Sequence, residues 1–401
     1  MDKILFHIDV NSAFLSWSCL KEHRPEALLV PSVVGGDPQN RRGIVLAKSP
    51  AAKAKGIVTG EPLQQALQKC PSLLIFPPDY DFYALCSRQL FQLLSAYSDR
   101  LEVFSIDECF LDYTGMERLF GPPLEAAKQI QTHIYQTLGF TVNIGIGPNK
   151  LLAKMAGELE KPNKIHTLFP EEIPQKLWPM PVEALFLVGK HTAPKLNRLG
   201  IFTIGDLAMA DGALLKAELK KFGLVLKNYA NGIADDTVSS EEKGTPPKSI
   251  SHATTTPTDI TTREDAHLVL LALAQTVSRR LRRQEQFATQ LSVTLRDTSF
   301  HTYSHQRPLS SATNATKTIY EMALVVFDQM WKREPLRQLG ISLGQLTRSP
   351  LCQLSLLEQD DLRHQKADAV ADRLNQLFGA KTVQSAALLK PNPPKKRRFV
   401  E

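Results

Sequence analysis

The sequence predicts an α+β protein of several domains, and three observations carry that expectation. Its 401 residues amount to two or three common domains of about 150 residues each, so more than one core is expected. Residues 1 to 168 interleave β-branched, strand-like runs with segments of helical spacing. A polar stretch without periodicity at 235–249, DDTVSSEEKGTPPKS, separates a helical region from a second α/β pattern and reads as an interdomain linker.

In chain order, residues 3 to 10 alternate Ile4, Phe6 and Ile8 with Leu5, His7 and Asp9, the pattern of a half-buried strand ending at Asp9. AAKAKGIVTGEPLQQALQKC reads as two short helices around a glycine-containing turn, and PPDYDFYALCSRQLFQLLSAYS carries apolar residues at helical spacing. LEVFSIDECFLDYTG returns to strand, LEAAKQIQTHIYQTLG to helix, and FTVNIGIGPNK to strand closed by a Gly-Pro break. Residues 169 to 233 turn helical and lysine-rich. Beyond the linker, HLVLLALAQTVSRRLRRQ and TKTIYEMALVVFDQMWKR read as helices around the alternating strands QLSVTLRD and FHTYSHQR. The tail holds one amphipathic helix (Val370, Leu374, Leu377, Phe378) capped by Gly379, then a basic end, PPKKRRFVE.

Composition narrows the class. Lys and Arg exceed Asp and Glu by 48 to 41, a net charge of +7 that favours an anionic partner. The module at 263–348 holds 12 basic against 7 acidic side chains, five of those seven net charges. The five cysteines are scattered without a CxxC pair, which speaks against a disulfide framework or a zinc site. No stretch approaches about 18 uninterrupted apolar residues, so no membrane association and a cytoplasmic location are expected.

Three carboxylates stand out by context: Asp9 at the end of the first strand, and Asp107 with Glu108 inside the apolar run VFSIDECFLDY. Adjacent strand residues point to opposite faces, so the pair reaches one site only near a turn or irregularity. If the three converge, cations must offset their repulsion. Mg²⁺ suits hard oxygen ligands completed by phosphates, and two such ions about 3.5 to 4 Å apart serve an in-line displacement. The alternative is three unrelated surface acids.

The segments FHIDVNSAF, SIDECFLDYTG and NIGIGPNKLLAKMAGELEKPN resemble, in order and spacing, the signatures of Y-family DNA polymerases, nearest the DNA polymerase IV branch. The resemblance covers at least residues 1 to about 350 and implies an α+β right-hand polymerase. Its palm would be 1–12 and 78–168, its fingers 13–77, its helical thumb 169–234, its little finger 250–347, and its tail 348–401. It implies error-prone, template-directed addition of deoxynucleotides to a primer 3′-end during damage tolerance. By that match Asp9, Asp107 and Glu108 are the catalytic residues and ligate two Mg²⁺ ions with the Val10 backbone carbonyl. Phe14 would lie under the incoming sugar and exclude a 2′-hydroxyl. Lys161 would bind triphosphate, with Ser49 and Lys53 also at the nucleotide. The fingers depart from the common SYEARxxG pattern: SPAAKAKG puts Pro50 at the tyrosine and Lys53 at the arginine, removing a phenolic hydroxyl and a planar fork. Otherwise Phe14 reads as core and a lone lysine as solvated.

LFLVGKHTAPKLNRLGIFTIGDLA resembles the family's helix-hairpin-helix, with Gly189 and Lys190 toward phosphate. Arg279, Arg280, Arg282 and Arg283 fall within two helical turns of SRRLRRQ and, with Arg296 and Arg307, are expected to meet DNA backbone; the plain reading of such a run is a solvated face. Gln353, Leu354, Leu356 and Leu357, around Ser355, resemble the clamp-binding peptide of bacterial polymerases, which would tether the enzyme to a sliding clamp. The expected partners are therefore primer-template DNA, deoxynucleoside triphosphates and a clamp, met by a monomer associated with a bacterial nucleoid. Competing readings are a noncatalytic scaffold, which would have lost the acids, a palm-fold nucleotide cyclase, which needs no basic fourth domain, and a polymerase dependent on accessory subunits.

Overall fold

The computed structural model of the chain describes residues 3–36, 43–235, 237–239, 247–348, 359–379 and 382–389. Two compact units form, one over Met1–Pro38 and Gly43–Gly244, the other containing Thr245–Glu401.

In the first unit, β1 (Leu5–Val10) and α1 (Ala13–Lys21) lead into β2 (Ser32–Gly35), β3 (Val45–Lys48), α2 (Pro50–Ala54), α3 (Leu63–Lys69) and β4 (Leu74–Phe76). Then follow α4 (Tyr80–Leu94), β5 (Leu101–Val103), β6 (Glu108–Asp112), α5 (Glu117–Phe120), α6 (Pro123–Leu138), β7 (Val142–Gly147), α7 (Lys150–Glu158) and β8 (Ile165–Thr167). The strands make a five-stranded sheet, β5-β6-β1-β7-β8, and a three-stranded sheet, β3-β2-β4. Alternation decides which face of the larger sheet is core: Phe6, Ile8, Cys109, Leu111, Ile144 and Ile146 are buried with α4 and α6 residues Leu90, Leu94, Ile130 and Ile134. The opposite face receives α7. A Cβ at Gly145 would lie 1.9 Å from the Ala153 carbonyl oxygen, so only glycine lets this helix lie directly on β7.

Short helices complete the unit: α8 (Ile173–Lys176), α9 (Ala193–Arg198), α10 (Ile204–Met209), α11 (Gly212–Leu219) and α12 (Lys221–Ala230). Their core (Leu177, Leu196, Ile204, Leu207, Leu226) includes Leu152 and Met155 of α7, so the helix that lies on β7 also anchors the short helices. The α9–α10 pair keeps the expected hairpin, with Gly200 at φ +78° between the helices.

The second unit runs β9 (Ser249–Ile260), α13 (Arg263–Arg283), β10 (Phe287–Asp297), β11 (Thr302–Thr313), α14 (Thr316–Met330), β12 (Leu336–Thr347) and α15 (Gln359–Phe378), with strand order β11-β10-β12-β9. Sequence reading missed β9 and β12, and the expected linker overlaps the start of β9. ISHATTTPTDI shows no apolar alternation because the positions opposite the core-facing Ile341 and Leu339 are His252 and Thr254. Leu291, Val293, Leu295, Leu339, Ile341 and Leu343 pack against Leu270, Leu273 and Val277 of α13 and Ile319, Val326 and Phe327 of α14. Gln290, Ser292, Thr294, Arg296, Gln338 and Ser342 alternate with them and form the other face. Gly379 ends α15 at φ +101°, as expected. Val370, Leu377 and Phe378 of its apolar stripe are exposed.

Candidate active site

β1 delivers Asp9 to a cavity of about 490 Å³ lined also by Asp107, Phe14, Lys53 and Lys161. Leu5, Phe6 and Ile8 are fully buried and fix the register, placing Asp9 opposite Glu108 on β6 and Asn143 on β7. Residues directly opposite share a face, so His7, Asp9 and Glu108 stand on one side of the sheet. Asp107 belongs to the turn before β6, where the Phe104 and Ser105 amides both donate to the Glu108 carbonyl (3.0 and 3.1 Å). That irregularity turns Asp107 into the cavity.

Paired asparagines hold the other wall. Asn143 Nδ2 donates to the Gly157 and Glu160 carbonyls (2.9 and 2.7 Å) while its Oδ1 accepts from Asn11 Nδ2 (3.0 Å). Asn11 Oδ1 in turn accepts from the Asn163 amide (2.9 Å). The loop carrying Lys161 is thereby fastened beside β1, and Lys161 Nζ reaches Asp9 Oδ2 at 2.6 Å and Glu158 at 2.7 Å. Burial pushes the Asp9 carboxyl up despite the neighbouring ammonium. Burial alone would lower Lys161, but the Asp9 and Glu158 carboxylates outweigh it and hold that amine up.

Glu108 has a different setting. Its carboxylate accepts from His7 Nε2 (2.8 Å) and Lys154 Nζ (2.5 Å). Burial would raise its pKa, yet His7 and Lys154 bring it down to about 2. His7 is fully buried, and burial lowers its own pKa. Its Nδ1 has no partner, which fits a neutral ring with its proton on Nε2. Lys154 also lies over the exposed Phe104 (5.1 Å) and over Phe186 (5.5 Å), which packs against the core of the short helices. Sequence reading missed His7 and Lys154; the signal for His7 was its place two residues before Asp9 on one strand face.

Hard oxygen donors at the cavity suit a divalent cation. Asp9 and Asp107 both line it. Val10 N–H donates to the Asp107 carbonyl (3.0 Å), but the return donor an antiparallel pair would supply, Asp107 N–H, lies against Ser105 Oγ (3.3 Å) instead, freeing the Val10 carbonyl. Among the described residues no three His, Cys, Asp or Glu side chains are gathered closely enough for a metal ion. Asp9, Val10 and Asp107 thus line one cavity, while Glu108 is turned to His7 and Lys154.

Phe14 is stacked on Tyr83 (centroids 4.8 Å, planes 11° apart), worth about 0.5–1.5 kcal/mol beyond burial. The buried Tyr83 hydroxyl is bonded to Ser18 Oγ at 2.6 Å. Ser49 departs from expectation: it is fully buried, its hydroxyl donates to the Val30 carbonyl (2.8 Å) and caps α2 by accepting from the Ala52 amide (3.0 Å). No proton of that hydroxyl is left for a nucleotide. Lys53 is exposed on α2.

Gly189 and Lys190 are exposed at the hairpin, the Gly189 carbonyl accepting from Thr192 and Ala193 at the start of α9. The α13 arginines need correction. Arg282 is bonded to Asp372 (2.7 Å) and Asp368 (3.1 Å) on α15 and its side chain is 12% exposed; Arg279 faces Asp372 at 3.5 Å. Arg280 donates to the Ser251 carbonyl (3.0 Å), while Arg283 is exposed. α13 covers the apolar face of the sheet, whereas Arg296 belongs to the opposite, polar face, where its Nε donates to Thr302 Oγ1 (2.8 Å). Gln353, Leu354, Leu356 and Leu357 lie outside the described residues.

A Y-family DNA polymerase chimera of solved structure has the same fold, with a TM-score of 0.75 over 86% of this chain and 100% of that chain at 23% identity. Fold and site define the class: a right-hand Y-family polymerase of palm, fingers, thumb and little finger. The model of the impB/mucB/samB family matches residues 8–158, and that of the family's C-terminal domain matches 247–356. DNA polymerase IV of Clostridium acetobutylicum is 43% identical over 97% of this chain and 99% of its own length. DNA polymerase IV 2 of Bacillus subtilis is 37% identical over 97% and 95%. The chain belongs to the impB/mucB/samB family, in its DNA polymerase IV branch. Membership implies dependence on divalent metal, and no described helix is long and apolar enough to cross a membrane.

Proposed function

We propose that this chain extends a primer 3′-end with deoxynucleotides along a DNA template, including past damaged bases. The observation that carries this reading is one cavity shared by Asp9, Asp107, Phe14, Lys53 and Lys161. Asp9, Asp107 and the Val10 carbonyl would hold Mg²⁺, two ions in all, with Glu108 joining when its carboxylate swings from Lys154. Those ions supply charge stabilisation at the attacking 3′-oxygen and the leaving pyrophosphate. The chain's own residues do the rest. Phe14, braced by Tyr83, presents a flat ring where a 2′-hydroxyl would have to sit, and Lys53 and Lys161 neutralise phosphate.

Residues 1–12 with 78–168 serve as palm, 13–77 as fingers, 169–234 as thumb, 250–347 as little finger. Gly189 and Lys190 would meet duplex phosphates from the thumb. In the little finger the polar sheet face with Arg296 is the surface for the backbone, with Arg280 and Arg283 at its margins. Gln353, Leu354, Leu356 and Leu357 would bind a sliding clamp, and the protein would act as a nucleoid-associated monomer in the cytoplasm.

The test is primer extension with Mg²⁺ by the full chain and by Asp107→Ala, with deoxy- or ribonucleotides supplied. Extension with deoxynucleotides alone, lost in the variant, is expected. No extension by folded, DNA-binding protein would turn the reading toward a scaffold or a subunit-dependent enzyme.

A further inference from the structure

The fingers wall of the nucleotide cavity has lost its usual donors. Pro50 has no polar side-chain atom, and the Ser49 hydroxyl is spent on Val30 and on capping α2. A residue that sequence reading passed over stands next to them. Lys48 is the last residue of β3 and lines the same cavity as Asp9, Asp107 and Lys161.

Three observations define its position. Its carbonyl accepts from Ser12 Oγ at 3.3 Å, which fastens the end of β3 to the turn between Asp9 and Phe14. Its half-buried side chain reaches Thr59 Oγ1 at 3.4 Å, a long contact that an anionic oxygen would displace at little cost. Among the described residues no carboxylate lies within ion-pair distance of it, Glu61 acting on it only through space, whereas Lys161 is bonded to Asp9 and Glu158. A partly buried lysine that is bonded to no carboxylate among the described residues, on the wall of a cavity that Lys53 and Lys161 also line, suits a polyanion.

We propose that Lys48 is a triphosphate-binding residue, supplying from β3 the donor that Pro50 and Ser49 do not. The inference rests on the polymerase reading above. A compact ammonium on a flexible stem contacts phosphate oxygens without regard to the base, so the contact is the same for all four nucleotides.

The test is steady-state extension of matched primer-templates by the full chain, Lys48→Met and Lys48→Arg, with thermal melting as a check on folding. Lys48→Met is expected to raise KM by about tenfold for each of the four deoxynucleotides, with kcat changing much less. Lys48→Arg should restore most of the loss. Tyrosine at position 50 (Pro50→Tyr) should shrink the effect of Lys48→Met, since a phenol then shares the task. An unchanged KM in folded Lys48→Met, or a rise confined to one base, overturns the inference and leaves the polymerase standing. Absence of extension by the unaltered chain removes the polymerase reading and this inference with it.

Discussion

The two units each contain an antiparallel-rich sheet with one apolar face packed on two helices, yet they use the other face in opposite ways. In the first, that face carries His7, Asp9 and Glu108, groups too costly to bury alone and therefore each given a fixed partner. In the second it carries the neutral Gln290, Ser292, Thr294, Gln338 and Ser342 with one cation, Arg296, the composition a long, regular anionic partner would need. A face that does chemistry needs preorganised charge at a few points. A face that follows a backbone needs evenness, and one cation suffices where several would compete.

The largest test of this contrast is at Asp9. Asp9→Ala is expected to lower primer extension by about a thousandfold, the order for withdrawing several kcal/mol of charge stabilisation at a metal site, with DNA affinity nearly unchanged in a gel-shift assay. Comparable loss of DNA binding would mean that the first unit's open face is also a binding face.

Arg282 tests the second unit from its covered side. Arg282→Ala leaves Asp368 with the Thr316 amide and Asp372 with Arg279 alone, and breaking pairs this buried costs about 3 kcal/mol. Thermal or urea unfolding of the full chain should show that loss in the transition of the C-terminal unit, while the dependence of DNA binding on salt stays as it was. A flattened salt dependence without loss of stability would restore Arg282 to the phosphates.

That arginine also shows what was legible in the sequence. The palm could be read because FHIDVNSAF, SIDECFLDYTG and NIGIGPNKLLAKMAGELEKPN resemble family signatures; the acids by themselves left three unrelated surface carboxylates open. The four-arginine run of α13 drew attention for its charge, but its counter-ions lie about 90 residues away on α15, and periodicity along one helix does not reveal pairing with another. β9 was hidden for the complementary reason: His252 and Thr254 stand at positions opposite the core-facing Ile341 and Leu339, so no apolar alternation marks the strand. Ser49 was read as a nucleotide contact; it lines the cavity, but its role as a cap was not legible, because its partners Val30 and Ser32 are set by the three-stranded sheet.

Lys154 sharpens the contrast within the first unit. Lys154→Met keeps a long apolar stem near Phe104 and Phe186 but leaves Glu108 with His7 alone. Stability should fall by about 2 kcal/mol in thermal unfolding, less than for Arg282 because His7 still donates. Extension should fall too, since the β5–β6 turn that carries Asp107 loses its tie to α7. Unaltered stability would mean that the pair is screened by water and that Glu108 is free to turn.

The smallest effect is expected at Arg296, and it discriminates best. Arg296 is a single cation on the polar face, held by Thr302 and free of any carboxylate bonded to it among the described residues. If this face follows the duplex backbone, Arg296→Ala removes one phosphate contact: affinity for primer-template falls by about 1 kcal/mol regardless of sequence, and the slope of log affinity against log salt flattens by about 0.9. Fluorescence anisotropy across a salt series reads both quantities. Arg279→Ala in the same series should leave the slope alone, because that side chain is turned to Asp372 on the covered side. The reverse outcome, a flatter slope for Arg279→Ala and none for Arg296→Ala, would put the nucleic acid on the helices and invert the comparison between the two sheets.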